Sequence, residues 1–178
     1  MKSSYIIFRV KQGWMGLVGN ENGVIRIYLP GLSKDELERR IKIEYPECQQ
    51  GVGSLGGAKG ELVEYFEGRR SRFEMVLDLS RATPFQKRVY GVMSTIPFGQ
   101  VRTYRWLAQN IGNPRALRAV GSANARNRWP VVIPCHRIVG SDGSLTGFSA
   151  PGGLALKEEL LRLERIPVAE GRVQSLKE

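Results

Sequence analysis

Residues 103–120 read "TYRWLAQNIGNPRALRAV" and contain two short helical patterns joined by a turn. The first helix is predicted to begin at Thr103 and to end at the turn around Gly112. Asn113 and Pro114 have the residue types of an N-cap and a first helical position, so they are predicted to start the second helix. Two short helices joined by a glycine-containing turn are typical of a helix-turn-helix.

The second of these helices is predicted to have two different faces. Leu117 and Val120 are expected to face inward. Arg115, Arg118 and Ser122 stand at i, i+3 and i+7 and share another face. That face is either the solvated side of a helical hairpin or a surface that lies against DNA.

The charge distribution favours the DNA-facing interpretation. Residues 81–137 carry ten Lys and Arg and no Asp or Glu, so this stretch accounts for the whole formal net charge of +10. A long segment without a carboxylate creates a positive field that attracts a polyanion, most simply nucleic acid.

A further helix is predicted upstream of the turn motif. Thr83, Pro84 and Gln86 fit an N-cap, a first helical position and a capping-box partner. Apolar residues then recur at helical spacing at Phe85, Val89, Val92, Met93 and Ile96. Residues 80–167 are therefore predicted to form a mostly α, winged-helix-like domain with a helix-turn-helix.

The first part of the chain is predicted to be a small α/β domain with a mixed sheet over residues 1–79. A helix is expected from Ser33, because Ser33 and Glu36 have capping-box spacing. The other expected elements are strands at 4–10, 23–29 and 73–79, a glycine-rich loop at 51–60, and a helix at 58–66. Residues 168–178 are expected to form a weakly ordered C-terminal tail.

Composition excludes several classes of protein. No apolar run approaches the roughly 20 residues that span a bilayer, and the apolar stretch at 5–8 is too short for a signal-peptide core. We therefore expect a cytoplasmic protein that does not bind membranes. Cys48 and Cys135 are far apart, so a disulfide framework is not expected, and with one histidine the chain has too few ligands for a structural zinc site.

The stretch "VVIPCHRIVGSDGS", residues 131–144, places Cys135 beside the single histidine, His136. A thiol reacts as thiolate, and a neighbouring imidazole can take its proton. Adjacent side chains on an extended strand point to opposite faces, so the two meet only if the chain turns at Pro134 or through a bridging water. From these residues alone, a reactive thiol and an ordinary buried cysteine both remain open.

A carboxylate could orient the histidine. Leu156, Leu160 and Glu164 stand at i, i+4 and i+8 on a predicted helix from 152 to 163, so Glu164 ends an apolar stripe. A carboxylate on the core side of a helix requires a partner, for which His136 is available. A solvated helix end is the alternative.

The sequence "PCHRIVGSDGSLTGFS" resembles the active-site signature of the O6-alkylguanine-DNA alkyltransferases, also called methylated-DNA-protein-cysteine methyltransferases. The resemblance continues upstream through residues 83–127 and downstream through "GGLALKEELLRLE" at 152–164. It covers about residues 80–165. It implies repair of double-stranded DNA by a monomer that transfers the alkyl group of O6-alkylguanine, and of O4-alkylthymine, irreversibly to itself, once and without a cofactor.

The resemblance also implies roles for individual residues. Cys135 matches the alkyl acceptor, His136 its water-mediated base and Glu164 the carboxylate that orients the histidine. Asn127 matches the asparagine that holds the turn before the cysteine, and Tyr104 matches the tyrosine that assists base flipping and protonates the leaving guanine.

The DNA and base contacts follow from the same resemblance. Arg118 matches an arginine finger that enters the base stack, on a helix that docks in the minor groove. The other expected DNA contacts are Arg115, Ser122 and Thr103, and the expected base pocket is formed by Val139, Phe148, Ser149 and Lys157. In the lid loop, which precedes the helix predicted at 152–163, Phe148 stands where most relatives have tyrosine, and Ala150 and Pro151 lengthen this loop.

Two other functions are compatible with parts of this pattern. A helix-turn-helix protein could recognise alkylated bases without repairing them, but its known relatives resemble this fold with the cysteine replaced. A thiol redox sensor or cysteine hydrolase would need only Cys135 and His136, and this leaves the acid-free, arginine-rich segment unexplained.

Overall fold

The structure is a computed structural model that describes residues 3–176. The chain divides into two compact units. The first runs to Arg81 and includes Ala150–Gly152, and the second comprises Ala82–Ser149 and the chain from Gly153 onward. The division predicted between residues 79 and 80 stays a prediction. No helix among residues 3–176 is long and apolar enough to cross a bilayer.

The first unit contains a four-stranded mixed sheet and two helices. Its strands are β1 (Ser4–Val10), β2 (Gly13–Asn20), β3 (Gly23–Tyr28) and β4 (Gln49–Gln50), and its helices are α1 (Lys34–Glu44) and α2 (Leu55–Phe66). The strand order is β3-β2-β1-β4, and only β4 runs parallel to its neighbour. Leu37 and Ile41 of α1 are fully buried and pack in the core with Val18 of β2.

Capping explains where α1 begins, as predicted. The Glu36 backbone N–H donates to the Ser33 hydroxyl, and the Glu36 carboxylate accepts from the Ser33 backbone N–H. Two of the backbone donors at the helix start are satisfied in this way.

Three predictions for this unit are corrected. Strand β2 was not predicted, because a central strand buried along most of its length lacks the polar-apolar alternation of a half-buried strand. Helix α2 begins at Leu55, inside the predicted loop at 51–60, because buried Leu55 and Ala58 anchor its first turn. The strand predicted at 73–79 is reduced to a single bridge between Val24 and Leu77.

The second unit is mostly helical. Its elements are α3 (Pro84–Ser94), β5 (Arg102–Thr103), α4 (Tyr104–Asn110), α5 (Leu117–Ala125), a 3₁₀ turn (Cys135–Arg137), β6 (Ile138–Val139), α6 (Gly153–Leu163), β7 (Val168–Ala169) and β8 (Arg172–Val173). The predicted capping box of α3 is present, because the Gln86 N–H donates to Thr83 Oγ1 and the Thr83 N–H donates to the Gln86 side chain. Strand β5 pairs with β6 in parallel.

Helix α5 begins later than predicted. Asn113 and Pro114 belong to a turn that the Ala116 N–H closes onto the Asn113 carbonyl at 3.0 Å, and the helix starts at Leu117. Arg115 therefore lies in this turn and not on the helix. Val120 is fully buried as predicted, whereas Leu117, predicted to face inward, is 45 % exposed.

The predicted weakly ordered tail is wrong for residues 168–173. Strands β7 and β8 form an antiparallel hairpin. Val168 and Val173 are buried and pack with Val139 and Leu161, so apolar burial holds this segment in the second unit.

Candidate active site

Cys135 begins the 3₁₀ turn, so the chain turns at Pro134 and does not continue as an extended strand. The Arg137 N–H donates to the Pro134 carbonyl at 3.0 Å and closes the turn. The Cys135 N–H donates to the Ile133 carbonyl at 2.8 Å. The predicted turn at Pro134 is therefore present in the backbone, and Cys135 and His136 both lie within it.

The Cys135 thiol is 5 % exposed and lies in the second unit's interior. Burial raises the pKa of the Cys135 thiol, although a hydrogen bond from the Asn127 side chain and the positive charge of Lys157 act in the opposite direction. The free protein therefore holds the group as a neutral thiol. Its reaction as a nucleophile requires a base at the moment of attack.

Glu164 lies directly after α6 and is 1 % exposed, so a solvated helix end is excluded. Its Oε1 is 2.7 Å from His136 Nε2, and its two oxygens accept from Arg137 Nε at 2.8 Å and Nη2 at 2.9 Å. The Gly99 N–H also points at Oε2, at 3.3 Å. Burial alone would raise the pKa of Glu164, but His136 and Arg137 outweigh it and hold that pKa well below its usual range.

His136 is fully buried, and burial lowers its pKa below the ordinary value despite the nearby Glu164 carboxylate. The ring is therefore neutral near pH 7. An ionised Glu164 accepts a proton from Nε2, so the neutral ring carries its basic lone pair on Nδ1. The carboxylate thus selects the tautomer of the imidazole.

Arg137 is a member of this cluster that the sequence reasoning missed. It is 6 % exposed and also donates from Nη1 to the Ile96 carbonyl at 2.6 Å. Its charge lowers the pKa of His136 and that of Glu164. The sequence analysis offered only His136 as a partner for the buried carboxylate of Glu164. A buried carboxylate needs a full counter-charge, and this was the signal that could have identified Arg137 beside His136.

Asn127 closes the loop before the cysteine. Its Nδ2 donates to the Ile133 carbonyl at 2.7 Å, and its Oδ1 accepts from the Trp129 N–H at 3.0 Å. Val131 lies between Trp129 and Ile133 and has a positive φ of 76°, a conformation that a β-branched residue rarely adopts. One side chain therefore bridges both ends of a strained turn that leads to Cys135.

The predicted pocket residues lie in two places around the turn. Lys157 of α6 is fully buried and donates from Nζ to the Ile138 carbonyl at 2.6 Å and the Thr146 carbonyl at 2.7 Å. Burial lowers the pKa of Lys157 to about 8. Val139 is also buried, and it pairs through its backbone with Thr103 of β5.

Phe148 and Ser149 belong to the lid loop. Phe148 is partly exposed, and exposed Ser149 donates its hydroxyl proton to the Ala125 carbonyl at 2.7 Å. The additional residues Ala150 and Pro151 group with the first unit. Lys157 reaches the Ile138 carbonyl with the longer loop in place.

Tyr104 opens α4 and is partly buried. Burial raises the pKa of the Tyr104 hydroxyl, and hydrogen bonds from the Thr146 and Asn124 side chains oppose that change. Cys135 in its thiolate form raises the pKa of this hydroxyl further, so the phenol belongs to the surroundings of the thiol.

Arg115, Arg118 and Ser122 are exposed. A recess of about 370 Å³ opens at the start of α5 and is lined by Tyr104, Arg105, Leu117, Arg118, Gly121 and Ser141. Thr103 is different, because its side chain is fully buried and its hydroxyl accepts from the Trp106 N–H to cap α4. The Thr103 side chain therefore caps the helix, and the expected contact of Thr103 with DNA stays a prediction.

Comparison with known proteins identifies the family to which the chain is similar. The family described as 6-O-methylguanine DNA methyltransferase, DNA binding domain, matches residues 84–166. The methylated-DNA–protein-cysteine methyltransferase of Methanosarcina barkeri is 40 % identical over 90 % of this chain and 96 % of its own length. The constitutive enzyme of that name from Bacillus subtilis is 35 % identical over 89 % of this chain and 93 % of its own.

Solved structures give the same result. The O6-methylguanine methyltransferase of Mycobacterium tuberculosis superposes with a TM-score of 0.76 and 34 % identity, covering 94 % of this chain and 96 % of its own. Mycobacterium tuberculosis OGT in complex with DNA gives a TM-score of 0.77 and 35 % identity over 91 % and 92 %. The chain described here therefore belongs to the methylated-DNA–protein-cysteine methyltransferase family.

Proposed function

We propose that this protein repairs alkylated DNA by moving the alkyl group of O6-alkylguanine, and of O4-alkylthymine, onto Cys135. The transfer is irreversible and happens once per molecule without a cofactor. One observation carries the proposal. His136 follows Cys135 in the buried 3₁₀ turn, and Glu164 Oε1 holds its ring by a hydrogen bond of 2.7 Å to Nε2.

The first step is activation of the thiol. His136 takes the Cys135 proton on Nδ1 through a water molecule, while Glu164 keeps Nε2 protonated and stabilises the imidazolium that forms. Lys157 stabilises the developing thiolate by its charge. The raised pKa of the thiol in the free protein limits side reactions before substrate is bound.

The second step is displacement at the alkyl carbon. A bond forms between Cys135 Sγ and that carbon as the carbon–O6 bond breaks, and the electron pair passes to the guanine. Tyr104 delivers a proton to the leaving base, and the proton that His136 took from the thiol replaces it. The net change moves the alkyl group to sulfur and one proton to guanine.

The reacting carbon is hidden inside a duplex, so the nucleotide must leave the stack at a cost of a few kcal/mol. In the proposed complex a monomer binds double-stranded DNA with α4 and α5 as the helix-turn-helix of a winged-helix-like domain. Helix α5 lies in the minor groove, Arg115 and Ser122 contact the backbone, and Arg118 fills the vacated position. A planar guanidinium suits that position because it stacks and donates hydrogen bonds.

The flipped base is proposed to lie between the lid loop and the 3₁₀ turn. Phe148 stacks on it, and Ser149 and the Val139 backbone supply polar contacts. Lys157 supports the neighbouring carbonyl of Ile138, to which it donates at 2.6 Å. The domain limits proposed from sequence, 80–167 for this part of the chain, contain all these groups.

The proposal is tested by mass spectrometry of the intact protein after mixing with a duplex that contains O6-methylguanine. One methyl group per molecule is expected, located at Cys135 by peptide mapping. Cys135→Ala should gain none, whereas Cys48→Ala should react normally, because Cys48 is a buried thiol in the core of the first unit.

Other outcomes would point to the alternative functions. Tight binding to the damaged duplex without a mass change would indicate a recognition protein. An unmodified Cys135 with esterase or peroxide reactivity would indicate a hydrolase or redox sensor.

A further inference from the structure

Asn124 of α5 is a buried polar residue that the mechanism above does not use. It is 3 % exposed, and its Nδ2 donates to the Tyr104 hydroxyl at 3.4 Å. Its Oδ1 is buried and has no hydrogen-bond partner among the residues the structure describes. A buried acceptor without a donor destabilises the folded state, so a folded protein rarely keeps one without a use for it.

The position of Asn124 indicates where a donor would come from. One helical turn earlier on α5, Gly121 lines the recess together with Tyr104 and Arg118. The Tyr104 hydroxyl, which Asn124 contacts, is also within electrostatic range of Cys135. Through the Tyr104 hydroxyl, the Asn124 amide is therefore linked both to a residue that lines the recess and to the surroundings of the reactive thiol.

The two proposed substrates differ in what they could donate here. Alkylation at O6 removes the ring N–H of guanine, so the exocyclic 2-amino group is the donor left on that edge. Alkylation at O4 removes the ring N–H of thymine and leaves only acceptors on the corresponding edge. An amide oxygen beside the base can therefore accept a hydrogen bond from O6-alkylguanine but not from O4-alkylthymine.

We infer that Asn124 Oδ1 accepts a hydrogen bond from the 2-amino group of flipped O6-alkylguanine, while Nδ2 holds the Tyr104 hydroxyl. Asn124 is then a specificity-determining residue that makes O6-alkylguanine the preferred substrate over O4-alkylthymine. The inference rests on the proposed function, since it concerns the same pocket and the same reaction. A site built to pair a donor rejects an analogue that lacks it, because the buried acceptor stays unpaired.

Single-turnover rates of alkyl transfer to Cys135 test this inference. Duplexes carrying O6-methylguanine or O6-methylhypoxanthine, which lacks only the 2-amino group, are compared at matched sequence. For the unmodified chain the guanine substrate should react about 10-fold faster or more. In Asn124→Leu the ratio should fall to near one, mainly because O6-methylguanine slows.

Two further variants separate recognition from structure. Tyr104→Phe removes the partner of Nδ2 but leaves Oδ1, so it should slow both substrates and keep the ratio. Asn124→Met, another apolar replacement, should also reduce the ratio to near one, and it serves if Asn124→Leu does not fold. A duplex with O4-methylthymine should be the poorer substrate of the unmodified chain and should lose less than O6-methylguanine in either apolar variant.

The outcomes separate a failure of the proposed alkyl transfer from a failure of the role proposed for Asn124. If the unmodified chain gains no methyl group from O6-methylguanine, the proposed function fails. If it reacts but shows a guanine-to-hypoxanthine ratio near one, or if the ratio survives in the folded Asn124 variants, only the role of Asn124 is overturned.

Discussion

At Glu164 one buried carboxylate receives hydrogen bonds from His136, from Nε and Nη2 of Arg137 and from the Gly99 N–H. Arg137 neutralises the carboxylate, so His136 need not be protonated for the cluster to be stable. The same pair holds the histidine neutral and oriented, which is the state that can accept a thiol proton. Stability and catalysis thus depend on the same contacts.

Glu164→Gln should therefore destabilise the protein strongly. The substitution keeps the shape but leaves Arg137 as a buried charge without a counter-ion, for which a loss of about 3–5 kcal/mol in the free energy of unfolding is expected. Urea denaturation measures it. Glu158→Gln is the matched control, because it breaks only the exposed pair with Arg162 and should cost less than about 1 kcal/mol. Equal losses in the two variants would contradict the account of the cluster.

His136 should titrate below the ordinary histidine value of about 6.5, because burial lowers its pKa. As the only histidine, it gives a single set of ring signals, so NMR titration measures its midpoint directly in the folded and the urea-unfolded chain. Since the unfolded chain binds this proton more readily, the contribution of His136 to stability is complete above about pH 6.5 and is lost as the pH falls below it. A folded midpoint at or above 6.5 would show that Glu164 outweighs burial.

At the scale of elements, sequence predicts those whose signals are local. Helices α1 and α3 begin at capping boxes that are written into neighbouring residues, and both are found. The Asn113–Pro114 signal was misread, because an asparagine before proline also suits a turn, and the Ala116 N–H closes that turn onto Asn113. The contact of Arg137 with Glu164 joins residues 27 positions apart, so only tertiary packing could reveal it.

The loop from Asn127 to Cys135 should depend on one side chain. Asn127→Ala removes two hydrogen bonds to main-chain groups, and about 2–4 kcal/mol of unfolding free energy should be lost by urea denaturation. Alkyl transfer should slow as well, because the Asn127 bond also lowers the thiol pKa. Asn113→Ala, at an exposed turn position, is expected to change stability by less than about 0.5 kcal/mol. A small effect of Asn127→Ala would mean that the loop is held by other contacts.

On α5, Arg118→Ala should affect the reaction with duplex much more than the reaction with free alkylguanine base. The arginine compensates part of the cost of flipping, which is a few kcal/mol, so duplex repair should slow about 10-fold or more while the free-base reaction stays within about 2-fold. Single-turnover rates on both substrates measure this. Arg126→Ala, at the other end of the helix, is the control and should slow duplex repair less. Equal slowing of both substrates by Arg118→Ala would reject the finger role.

At the scale of the whole molecule, the charge is unevenly placed. The ten basic residues of segment 81–137 face no carboxylate from within that segment, but Arg137 is buried against Glu164 and is not available to DNA. The remaining exposed arginines, including Arg115 and Arg118 around the start of α5, are what a phosphate backbone would meet. Since the attraction is to phosphate, it acts on any DNA sequence and falls with salt.

Binding of Cys135→Ala, which cannot react, to an undamaged duplex should therefore weaken steeply as salt rises. If Arg115 contacts one phosphate, Arg115→Ala should reduce the slope of log affinity against log salt by about one, with the loss uniform across DNA sequences. Arg72→Ala is the matched control, because it removes an exposed arginine from the first unit, outside the acid-free segment, and should leave the slope unchanged. Fluorescence anisotropy between low and moderate salt gives both slopes. The idea fails if Arg115→Ala leaves the slope of Cys135→Ala unchanged. It also fails if Arg72→Ala lowers the slope as much as Arg115→Ala does, because net charge and not this surface would then govern DNA binding.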